Sequence, residues 1–151
     1  MGGAIVKLGD FGISKILEHT SASVHTKNTP GFPAYQAQEM FTGDSYTNKV
    51  DVWSAGCILF ELAHGKRLFD LRVKQPIMPQ IYWMRMMNKV IEHDHEPISD
   101  SCPVDIGQLI KDCINQDPSK RPRAVDMLNR AFEMKIKADQ TSVEKGMSKI
   151  R

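Results

Sequence analysis

Asn48-Lys-Val-Asp-Val-Trp-Ser-Ala-Gly-Cys-Ile-Leu-Phe-Glu-Leu-Ala-His-Gly65, wound as a helix, is apolar on almost every side. Trp53, Ile58, Leu59, Phe60 and Leu62 fall all around its circumference, the pattern of a helix buried at the centre of a domain. Gly65 is a natural C-terminal stop. The apolar part, 50–63, carries Asp51, Ser54 and Glu61 and is too short for a bilayer, which needs about 20 apolar residues. Downstream, a second helix is expected from Pro79, a favoured first-turn residue, with Ile77, Ile81, Met84, Met87 and Ile91 at helical spacing. A third spans 103–115 on Ile106, Leu109, Ile110, Cys113 and Ile114. Pro122 opens a fourth, to residue 134, with Ala124, Val125, Leu128, Ala131 and Phe132 as its face. From Lys135 the chain turns polar, and 135–151 reads as a tail that frays. Upstream, Ala4 to Leu8 reads as one short strand ended by Gly9-Asp10, and Phe11 to Glu39 as a long loop rich in Ser, Thr, Lys, His, Gly and Pro. A loop of that length in a compact domain is usually functional. The expected class is mainly α.

Composition narrows the function. Lys plus Arg number 20 and Asp plus Glu 18 in 151 residues, a net charge of +2 that argues against a general nucleic-acid binder. Cys57, Cys102 and Cys113 are odd in number and form no C-x-x-C pair, which excludes a self-contained disulfide scaffold and a cysteine-rich zinc site. They suit a reducing, cytoplasmic setting. Val6 stands where an N-myristoylation signal wants Ser or Thr, so no membrane attachment is expected.

Four short motifs follow one another along this frame. Asp10-Phe11-Gly12 follows the Ile5 to Leu8 run, and Ala37-Gln38-Glu39 ends the long loop. Asp51-Val52-Trp53-Ser54-Ala55-Gly56 opens the apolar helix, and Asp117-Pro118-Ser119-Lys120-Arg121-Pro122 lies between the third and fourth helices. In this order and spacing they resemble the eukaryotic protein kinases, from the strand before D-F-G to the last helix of the C-terminal lobe, over about residues 4 to 134. The resemblance implies a partial kinase-like fold: 1–12 as metal-binding strand and D-F-G, 13–39 as activation segment, 40–134 as helical C-lobe. The activity it implies is transfer of the γ-phosphoryl group of ATP, with Mg²⁺, to Ser or Thr of a protein substrate. Tyr35, with no Trp beside it, leans toward the Ser/Thr branch. The Leu8 to Lys15 run loosely resembles NIMA-related kinases and fixes no subfamily.

The same resemblance assigns residues. Asp10 matches the metal-binding Asp, Phe11 the packing residue of the active-inactive switch, and Gly12 its flexible neighbour, the three together facing the nucleotide. Glu39 and Arg121 match a buried pair that ties the end of the activation segment to the last helices, a role suited to the bidentate fork of Arg. Asp51 matches the Asp that holds the catalytic loop. Thr20, Ser21, Ser23, Thr26 and Thr29 are candidate phosphosites in the activation segment. Read without the family, Asp10 is a turn residue, Asp51 an ordinary acidic residue in a first helical turn, and Glu39 and Arg121 are two surface charges.

Gly31-Phe32-Pro33-Ala34-Tyr35-Gln36-Ala37-Gln38-Glu39 resembles the substrate-docking stretch G-T-P-x-Y-x-A-P-E, with Phe32 in place of Thr and Gln38 in place of Pro. The first change removes a hydroxyl that normally reaches the catalytic Asp. The family also places a glycine-rich loop, a Lys, an αC Glu and H-R-D-x-x-x-x-N before D-F-G, whereas nine residues precede Asp10 here. No catalytic Asp is therefore assigned, and a chain inactive by itself is expected, binding neither ATP nor Mg²⁺ tightly. The other reading is a non-catalytic, pseudokinase-like module that docks partners, or itself, on exposed helices. Glu92-His93-Asp94-His95-Glu96 has metal-capable side chains at no known ligand spacing and reads as a solvated loop. Met78, Met84, Met86 and Met87 read as packing filler.

Overall fold

The computed structural model describes residues 7–12, 14, 31–42, 45–71, 73 and 76–148, with side chains through 144. Four α-helices carry it: α1, Lys49–His64; α2, Pro79–Ile91; α3, Val104–Cys113; and α4, Ala124–Ser148. Short 3-10 turns stand at Pro33–Tyr35, Gln38–Met40 and Pro118–Lys120. Gly65 closes α1 in the left-handed conformation at φ 65°, and its N–H returns to the Glu61 carbonyl at 2.8 Å. Pro79 begins α2. No described helix is long and apolar enough to cross a membrane.

The core forms around α1. Trp53, Cys57 and Phe60 of α1 meet Leu68, Phe69, Met86 and Val90, together with Ile110 and Ile114 from the α3 side. Val52, Leu109 and Cys113 make a smaller cluster that Met127 and Met134 of α4 cover. The crossing of α1 and α3 is close because Gly56 lacks a side chain. A Cβ there would stand 2.6 Å from Cys113 Cβ and 3.0 Å from Ile114 Cγ2. Pro33–Tyr35 and Gln38–Met40 lie against α2, so the candidate docking stretch is seated on the lobe.

Several expectations need correcting. No strand is found among the described residues: Lys7 and Leu8 are irregular, and 4–6 lie outside them. A strand exists only where another backbone pairs with it, and no described segment pairs with 7–8. The tail from Lys135, expected to fray, is helical as far as Ser148, while 149–151 lie outside the described residues. The fourth helix is turned from its expected face. It meets α3 through Met127, Arg130, Met134 and Lys137, with Arg130 bound to Asp112 at 2.5 Å and Lys137 to Asp105 at 3.2 Å. Ala124, Val125, Leu128, Ala131 and Phe132 face outward and are exposed. Nor is α1 buried all round, since Leu62 is 78% exposed and Ile58 is 50% exposed. Of the methionines, Met86 is fully buried whereas Met78 and Met84 are exposed.

Candidate functional site: the docking stretch and its buried anchor

The D-P-S-K-R-P segment folds as its residue types dictate. Asp117 Oδ1 accepts hydrogen bonds from Ser119 N at 2.9 Å and Ser119 Oγ at 2.7 Å, capping the Pro118–Lys120 turn. Those bonds from Ser119 hold the Asp117 carboxyl below the usual carboxylate range. The turn delivers Arg121 inward, with its side chain 0% exposed. Its Nη1 and Nη2 donate to Glu39 Oε1 at 2.6 Å and Oε2 at 2.9 Å, Nε donates to the Asn115 carbonyl at 2.8 Å, and Nη1 also to the Lys49 carbonyl at 3.1 Å. The guanidinium carbon lies 4.9 Å from the centre of the Trp53 ring. Lys49 completes the knot, its Nζ donating to the Arg121 carbonyl and, at 3.1 Å, to the Pro122 carbonyl.

This knot holds one end of the 31–39 stretch, and the rest is tied by side chains. Ser54 Oγ donates to the Tyr35 carbonyl at 2.8 Å, and Tyr35 Oη donates to Glu61 Oε2 at 2.6 Å. Burial, and then the Glu61 carboxylate, push the Tyr35 hydroxyl up to about 12. Gln38, where the kinase motif has Pro, uses a donor that proline lacks: its Nε2 donates to the Gln116 carbonyl at 3.0 Å. Phe32, where the motif has Thr, turns to α2 and packs its ring 6.2 Å from Tyr82 and 6.1 Å from Tyr35, with Arg67 over it at 5.3 Å.

Sequence pointed to Glu39 and Arg121 together, and the structure brings them together. Lys49, Asn115, Ser54 and Glu61 were missed because each acts through a backbone carbonyl or a partner far along the chain. Asp51 stands exposed in the first turn of α1, and its carboxylate finds no hydrogen-bond or ion-pair partner among the described residues. Partial desolvation raises its carboxyl above the usual range. Asp10 takes the left-handed conformation at φ 58°, which Asp tolerates, and its Oδ1 accepts from Gly12 N at 3.4 Å. Phe11 is 64% exposed. No described contact joins Asp10 to Glu39, Arg121 or Asp51. Thr20, Ser21, Ser23, Thr26 and Thr29 lie outside the described residues.

Among the described residues no three His, Cys, Asp or Glu side chains stand close enough to hold a metal ion. Among the described residues Asp10 brings one exposed carboxylate and no second metal-ligating side chain beside it. The 92–96 loop is no ligand cluster either, and it is not simply solvated. His93 and His95 are half-buried, with His93 5.7 Å from Trp53 and His95 6.0 Å from Phe69, while Asp94 pairs with Lys89 at 2.7 Å and Glu96 with Lys66 at 2.7 Å. Two of the buried cysteines are poor nucleophiles, because burial pushes Cys57 up to about 12 and Cys113 up to about 11.

Comparison with known proteins bears on this arrangement. A family model described as the protein kinase domain matches residues 2–132. The serine/threonine-protein kinase Nek8 of Danio rerio is 38% identical over 128 residues, 85% of this chain and 17% of that protein. The G2-specific protein kinase nim-1 of Neurospora crassa is 30% identical over 140 residues, 92% of the chain and 15% of that protein. Nek9 of Mus musculus is 32% identical over 127 residues, 83% of the chain and 12% of that protein. The chain thus spans between 12% and 17% of the length of these three relatives.

Proposed function

The chain belongs to the eukaryotic protein kinase family, and we propose that it is the D-F-G to last-helix portion of a serine/threonine kinase domain, serving to seat the protein substrate. The family uses ATP and Mg²⁺ to transfer a phosphoryl group to proteins. The observation that carries this reading is the bidentate, buried Glu39–Arg121 pair, which fixes the end of the 31–39 stretch to the floor of the lobe. A peptide laid on that stretch meets a surface held at Tyr35, Gln38 and Glu39 and bordered by the Phe32 ring. Asp10 offers one carboxylate toward a metal that the remainder of a complete domain would have to hold. The activation-segment residues Thr20, Ser21, Ser23, Thr26 and Thr29 are proposed phosphosites, and the three unpaired cysteines support a cytoplasmic setting.

The 151-residue sequence contains no H-R-D-x-x-x-x-N, so no general base for the acceptor hydroxyl is available within it. The purified chain is expected to transfer no labelled phosphate from ATP to a protein acceptor above background. Transfer that disappears in Asp10→Ala would overturn that expectation. Joined behind the upstream half of a Nek-type kinase domain, the chain is expected to restore transfer to Ser or Thr. A folded chimera without transfer would sink the substrate-seating reading.

One observation favours the second reading, a non-catalytic docking module. Ile58 and Leu62 of α1, and Val125, Leu128 and Phe132 of α4, leave large apolar side chains in water. Exposed apolar patches beyond a few hundred Å² usually mark an interface. The chain is expected to bind a hydrophobic dye and to elute from size exclusion larger than a monomer. A dye-silent monomer with a sharp melt above about 60 °C, high for a mesophile domain, would count against it.

A further inference from the structure

The turn that follows α2 places two imidazoles against the centre of the core. His93 N–H donates to the Val90 carbonyl at 3.1 Å, Asp94 N–H to Lys89 at 2.9 Å, and Glu96 N–H to Leu68 at 2.9 Å, so the turn is pinned at both ends. Between those pins His93 is left-handed at φ 56°, a conformation that costs a residue with a side chain. The turn thereby directs its ring inward. The ring lies 5.7 Å from Trp53, tilted to it, and edge-on 6.3 Å from Phe69 and 4.7 Å from His95. Its Nδ1 is buried and has no hydrogen-bond partner among the described residues.

We propose that His93 is an acid-sensitive latch: protonation of its ring releases the 92–96 turn from Trp53 and Phe69 and loosens the lobe. A neutral imidazole leaves one ring nitrogen bare, and Nδ1 can be that nitrogen inside an aromatic pocket. The imidazolium carries N–H on both nitrogens, and a proton on Nδ1 would be buried with no acceptor. An aromatic face could in principle offset such a charge, but the Trp53 indole already carries Arg121 at 4.9 Å.

The charged neighbours give the cation no relief. From its own turn His93 faces His95, and from the segment before α4 it feels Arg121. Of the nearby carboxylates, Asp94 is engaged with Lys89, Glu96 with Lys66 and Glu39 with Arg121, while Glu92, the neighbour of His93 in the chain, is exposed to solvent. On the side of α1 and of the 65–71 segment the ring meets Trp53 and Phe69, neither of which titrates. Burial first, then His95 and Arg121, lower the pKa of His93 from 6.5. A histidine lowered in the folded state contributes stability that is present above the unfolded value and is lost as pH falls below it. The window is therefore the descent from about pH 7 to pH 5, set by the ordinary histidine value.

Proton NMR of the full chain follows the His93 ring directly. Its Cε1–H resonance is expected to titrate with a midpoint below 6.5. In a Trp83→Phe background, which leaves Trp53 as the only indole, Trp53 emission should change with the same midpoint. In His93→Asn, whose new side chain tolerates the left-handed backbone and holds no proton in this range, that change should vanish. The fall in urea midpoint between pH 7 and pH 5.5 should also shrink. A His93 midpoint at or above 6.5 overturns the proposal, and because it is read on the unsubstituted ring it does so even if His93→Asn fails to fold. An unchanged Trp53 titration in folded His93→Asn overturns it as well.

Discussion

Arg121→Gln is expected to lower the stability of the chain by about 3–5 kcal/mol, the cost of removing one member of a buried ion pair. Domains of this kind have only about 5–15 kcal/mol to lose, so the variant should forfeit a large share of its stability. The substitution strips the Asn115 and Lys49 carbonyls of their donors and leaves Glu39, 11% exposed, facing a cavity instead of a guanidinium. Arg121→Lys should rescue little of this. One ammonium cannot serve Glu39 in two places and also reach two carbonyls lying on different segments. Glu39→Gln should cost less than Arg121→Gln, because Arg121 keeps both backbone acceptors and an amide oxygen. Urea unfolding read by far-ultraviolet dichroism decides the matter. A loss below about 1 kcal/mol, the range of exposed ion pairs, would mean that the pair is ornamental and that the docking stretch is held by other contacts.

How far the sequence reached depended on whether a residue's signal was local. The limits of α1 were legible because an apolar run ends at a glycine, and those of α2 because a proline stands at its first turn. The Glu39–Arg121 pair was legible only through motif resemblance, since nothing in the spacing of residues 39 and 121 implies contact. The latter part of α4 was not legible. Hydrophobic periodicity detects helices that bury a face, whereas residues 135–144 are all exposed and draw on helix propensity and the Lys137–Asp105 pair. The face of α4 was misjudged for a related reason. Two apolar stripes lie on opposite sides of that helix, and the sequence does not say that Met127 and Met134, rather than Leu128 and Phe132, would meet α3. The histidines of the 92–96 turn looked solvated by composition. Their burial depends on a left-handed residue that aims a ring at Trp53, some forty positions earlier in the chain.

Trp53→Ala should be as damaging as Arg121→Gln, and for a connected reason. Trp53 is 0% exposed and joins the parts of the site to the core: Phe69 stacks on it at 5.8 Å and 8°, His93 lies 5.7 Å away, and Arg121 sits over the ring at 4.9 Å. Truncating a buried Trp to Ala costs about 3–5 kcal/mol in lost transfer and cavity formation. Trp53→Phe should cost far less. It keeps a ring for both Arg121 and Phe69, and it removes an indole Nε1 that is buried without a hydrogen-bond partner among the described residues. Because Trp53 and Arg121 touch, their losses should not add. The double variant Trp53→Ala with Arg121→Gln should fall short of the sum of the single losses by about 0.5–3 kcal/mol, the range of coupling between contacting residues. Stabilities from urea titration of the three variants close that cycle. Simple additivity would show that the guanidinium gains nothing from the indole and that their contact is mere proximity. An equal loss in Trp53→Phe and Trp53→Ala would show that the volume of the indole, not the presence of an aromatic face, is what the anchor requires.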